Sequence, residues 1–91
     1  MTFRLGAGTT EADFLAADRR VQTEFFYGRP GLARGTTARG GDGNWLVVVL
    51  WADPTSADAA STAAGGHPAV AQFEAAIEAS SVATERYETL D

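Results

Sequence analysis

The stretch Asn44-Trp45-Leu46-Val47-Val48-Val49-Leu50-Trp51-Ala52 restricts the fold more than any other segment of this chain. In a pleated strand successive side chains point to opposite sides. Trp45, Val47, Val49 and Trp51 therefore line one face, and Leu46, Val48 and Leu50 line the other. A strand with one wet face would alternate apolar and polar residues, and this one does not. Both faces need cover, yet a chain of 91 residues carries helices enough for only one. A second copy of the same sheet is the simplest cover for the other face. The strand thus predicts a homodimer.

Size and composition fit one small domain spanning residues 1–91. A chain this short buries only about 60–65% of its unfolded surface, a shortage that dimerisation relieves. The absence of cysteine rules out disulfides and thiolate metal sites. A formal net charge of −5 and a pI near 4.6 speak against nucleic acid, whose binding needs a basic stripe. All the basic residues are arginine, which together with the abundant alanine reads as compositional bias. The first residues lack the apolar core of a signal peptide, and no apolar run approaches membrane-spanning length. The expectation is a cytoplasmic protein with no membrane partner.

Read in order, Thr2 to Leu5 alternates as a short strand. Thr10 caps a helix whose apolar face is Phe14, Ala17, Val21 and Phe25, with Asp13, Arg19, Arg20 and Glu24 on the wet side. Gly28 and Pro30 end it. Leu32 to Arg39, rich in Thr, Ala, Gly and Arg, suits an edge strand. Gly40-Gly41-Asp42-Gly43 turns it into the apolar strand as an antiparallel hairpin. Asp53-Pro54 opens an alanine-rich helix that Gly65-Gly66 interrupts. His67-Pro68 restarts it, with Val70, Phe73 and Ile77 inward. Val82 to Leu90 reads as a last strand. The order β-α-β-β-α-β predicts an α+β fold of ferredoxin-like type, with a four-stranded antiparallel sheet and two helices on one face.

These residues carry a resemblance. Phe14, Pro30-Gly31-Leu32, Asp42-Gly43-Asn44-Trp45 through Trp51-Ala52, the alanine-rich helix, His67-Pro68 and Phe73 through Ile77 resemble the antibiotic biosynthesis monooxygenase-like group of dimeric α/β-barrel proteins. The resemblance implies a dimer in which two sheets face each other as a barrel. It also implies chemistry that ranges from oxygenation of aromatic polyketides without metal or organic cofactor, through haem opening, to no assigned activity. Thr2 to Leu5 lacks the asparagine of the haem-opening members, so the expectation is no cofactor.

Six residues are candidates for a site. His67, the only histidine, could act as a base toward a phenol or carbon acid, or simply cap the restarted helix. Trp45 and Trp51 share a face about 20 Å apart, so one could stack on an aromatic substrate or both could anchor core and interface. Asn44 could orient a substrate carbonyl or serve the turn. Arg34 and Tyr27 could clamp an oxyanion, Tyr27 alternatively packing on its helix. Arg86 suits a cross-strand ion pair. No nucleophile elbow, phosphate loop or metal-ligand cluster is present in the sequence. Two functions follow: a cofactor-independent monooxygenase acting on a small aromatic or polyketide compound, or a non-catalytic dimeric module that binds an apolar small molecule.

Overall fold

The computed structural model describes residues 1–90. Its elements are β1 (Thr2–Arg4), α1 (Glu11–Glu24), β2 (Leu32–Arg39), β3 (Asn44–Trp51), α2 (Pro54–Ala64) and α3 (Pro68–Ala75). One-turn 3₁₀ segments follow α1 at Phe26–Gly28 and α3 at Ala79–Ser81. The strands form one antiparallel sheet in the order β1-β3-β2. The apolar strand is thus central and the Thr- and Arg-rich strand is at an edge, as expected.

Each helix starts where a side chain can satisfy free backbone N–H groups. The Asp13 N–H donates to Thr10 Oγ1 at 3.1 Å, and the Ser56 N–H donates to Asp53 Oδ1 at 2.7 Å. That bond holds the exposed Asp53 carboxyl below its ordinary range. Pro54 and Pro68 occupy the first helical turns, where their missing N–H costs nothing. Gly31, at φ +80°, brings the chain into β2 so close to α2 that a β-carbon would lie 2.2 Å from Ser56 Oγ. Only glycine fits there.

The helices cover one sheet face. Phe3, Phe14, Val21, Phe25, Trp45, Val47, Ala69, Phe73 and Ile77 form the core between the layers. Phe14 sits at its centre, with ring centroids 4.8 Å from Trp45, 5.4 Å from Phe3 and 5.5 Å from Phe73. Such tilted contacts add to the burial term for each ring. The other face is bare. Leu46, Val48 and Leu50 are 38%, 40% and 39% exposed, against 6% for both Trp45 and Val47.

The expected fourth strand is not formed among the described residues. The segment after Ile77 touches β1 through one bridge, Thr2 to Ala83, with bonds of 2.8 and 2.9 Å. Beyond that bridge, Thr84 to Leu90 makes no further bridge and no regular structure. Tyr87 and Leu90 stay exposed. Arg86 makes no cross-strand pair; its Nη1 meets Asp58 Oδ1 of α2 at 2.6 Å. Ile77 is buried as expected, but beyond the end of α3, bridging Leu5. Among the described residues, no helix is long and apolar enough to cross a membrane.

Candidate functional site

His67 is the N-cap of α3. The Ala69 N–H donates to His67 Nδ1 at 3.1 Å, and the half-buried imidazole packs edge-on against Phe25 at 5.1 Å. The Arg29 guanidinium covers that same Phe25 ring, 4.8 Å from its centroid. A neutral imidazole has one lone pair and one N–H. A base role for the ring would compete with this cap, because Nδ1 already accepts from the Ala69 N–H. Beside the ring lies a shallow depression of about 260 Å³ between α2 and α3, walled by Ser61, Gly65, Gly66, Val70 and Glu74.

The other five candidates lie apart from His67. Trp45 is buried against Phe14. Trp51, at the far end of β3, is half-buried near Phe26 at 6.2 Å. Tyr27 is 70% exposed. Arg34 pairs in register with Leu50 and so lies on the bare sheet face. Asn44 is exposed at the hairpin, where its Oδ1 accepts from Arg4 Nη1 at 3.3 Å. The structure brings only Asn44 and Trp45 near a common feature.

That feature is a cleft of about 380 Å³ where the ends of β1 and β2 meet the start of α1. Arg4, Leu5, Thr9, Glu11, Arg39 and Trp45 line it. Arg39 Nη1 is held by both carboxylate oxygens of Glu11, at 2.6 and 2.8 Å. Arg4 has no carboxylate within ion-pair distance among the described residues, whose ion pairs use Arg20, Arg39 and Arg86. Its backbone is tied on both sides, the N–H donating to Ser81 Oγ at 2.8 Å and the carbonyl accepting from the Glu78 N–H at 2.9 Å.

A second polar spot lies inside the helix–sheet layer. Asp18 is 8% exposed, and its Oδ1 accepts from Thr37 Oγ1 at 2.9 Å. Burial pushes this carboxyl above its ordinary range, the hydrogen bonds pulling the other way. The Gln22 carboxamide approaches the same carboxyl, but its buried Nε2 makes no bond of ordinary geometry. Among the described residues no group of acidic, histidine or cysteine side chains could hold a metal ion.

Asp18, Arg4, Arg39 and Glu11 were not singled out by the sequence pattern. Asp18 could have been: it sits four residues after Phe14 and three before Val21, on the apolar face of α1. The arginines gave no such signal, because alternate residues of a short strand face solvent by default. No family model matches the chain, and no curated protein or solved structure shows significant similarity to it.

Proposed function

We propose that this chain is a homodimeric small-molecule-binding module without catalytic chemistry, built as a ferredoxin-like half of a dimeric α/β barrel. The observation that carries it is the uncovered stripe of Leu46, Val48 and Leu50 along the central strand. Water-exposed apolar stripes on a sheet mark an association surface. The neighbours of the stripe favour a second copy as its cover. Thr36, Ala38 and Thr2 flank Val48 and Leu46, while Arg34 beside Leu50 and Arg4 beside Asn44 stand at the two ends of the stripe. Small side chains let two sheets approach to about 10 Å and interdigitate. A two-fold axis through the stripe would set each apolar residue against its own kind. The resemblance to dimeric α/β-barrel proteins agrees with this cover.

The binding role without catalysis rests on His67. As a base it would need the lone pair that caps α3. It is the only histidine, the side-chain type best suited to take a proton near neutral pH. The test is sedimentation of the parent and of Val48→Asp at micromolar concentration. The parent should run as a dimer and the variant as a folded monomer. A well-folded parent monomer would overturn the dimer.

A further inference from the structure

We infer that the cleft at the ends of β1 and β2 is a binding site for a small aromatic carboxylate, with Arg4 as its anchor. This names the ligand class for the binding role proposed above and rests on that reading. The cleft carries two guanidinium groups and one carboxylate, so one positive charge is uncompensated. That is notable in a chain with 12 acidic and 7 basic residues. Glu11 neutralises Arg39, and the charge left over is that of Arg4.

Arg4 is also positioned. Asn44 Oδ1 takes one of its N–H donors, and the guanidinium lies over Gly43, where a β-carbon would come within 2.9 Å of Nη2. Gly43 has φ +77°, a backbone that favours glycine at this turn. The remaining guanidinium donors form a planar fork that matches a carboxylate better than a point charge would. Leu5 and the small accessible part of Trp45 supply an apolar wall for the rest of the ligand, and Thr9 stands nearby. The cleft, of about 380 Å³, is open to solvent on one side.

The two tryptophans provide an internal control, because Trp45 lines the cleft and Trp51 ends the same strand remote from it. Titration with sodium benzoate, followed by the indole N–H resonances, should move Trp45 saturably and leave Trp51 still. Benzyl alcohol, with the same ring and no charge, should not saturate at the same concentrations. Arg4→Gln should weaken benzoate about 10-fold or more, and Glu11→Gln should tighten it by freeing Arg39. Absence of a Trp45 shift up to about 20 mM benzoate would overturn the site. So would equal shifts of both indoles, unchanged affinity in Arg4→Gln, or inorganic phosphate binding more tightly than benzoate. Sedimentation reads the dimer separately, so a failed titration with an intact dimer rejects this site alone.

Discussion

The two faces of β3 have nearly the same amino-acid content and opposite fates. Trp45 and Val47 point into the aromatic layer and are almost dry, whereas Leu46, Val48 and Leu50 keep more than a third of their surface in contact with water. Hydrophobicity therefore does not decide which face is covered. The connections do: α1 follows β1 and α2 follows β3, and both return across the same side of the sheet. The comparison teaches that a uniformly apolar strand reports the sum of its environments, including those another chain must supply.

The largest expected effect separates the faces. Val47→Asp puts an unpaired carboxylate into the helix–sheet core and should cost roughly 3–5 kcal/mol, enough to abolish cooperative unfolding in a domain this small. Urea titration with circular dichroism measures it. Val48→Asp, one residue along, should keep the fold and lose the dimer, which sedimentation and the same titration at low concentration detect together. Equal destabilisation of the diluted monomer by both variants would erase the distinction.

Within the covered side the effects are smaller. His67→Ala removes the α3 cap and its edge contact with Phe25, at about 1–2 kcal/mol, a shift that calorimetry resolves. Benzoate affinity at the distant cleft should not change.

The smallest effect concerns pH. Asp18 has a raised carboxyl pKa in the folded chain, so its contribution to stability is full below the unfolded value and is lost as pH rises through the folded one. Asp18→Asn keeps an oxygen for Thr37 to donate to and removes that loss. The variant should gain in melting temperature relative to the parent as pH rises from about 4 toward neutral. A gap between the two that is constant with pH would show that the carboxyl is not penalised by burial.

Most of the layer arrangement was legible in the sequence because its signals are periodic. Phe14, Ala17, Val21 and Phe25 marked the inner side of α1, and Asp53-Pro54 and His67-Pro68 marked helix starts at residues where caps are found. The last strand misled because Val82 and Tyr87 read as partly buried positions of a strand, while the segment bridges β1 only at Ala83. Apolar residues in a segment say nothing of the strand it would pair with. The candidate site was less legible for a related reason. Six residues were chosen for what their side chains can do, but only Asn44 and Trp45 fall near the cleft. Arg4 gains its setting from Asn44, Gly43, Ser81 and Glu78, which no local spacing could bring together.

The short strand β1 also sets an order of events in time. Its contacts are remote: the Met1 ammonium donates to the Val47 carbonyl 46 positions away, and the Arg4 N–H reaches Ser81 over 77. The β2–β3 hairpin and the helices close on local contacts and can form first, whereas β1 pairs with β3 only across a loop of about 40 residues. β1 therefore docks after the hairpin that receives it. Until β1 docks, Phe3 is not set opposite Trp45, and the aromatic layer around Phe14 lacks one of its walls.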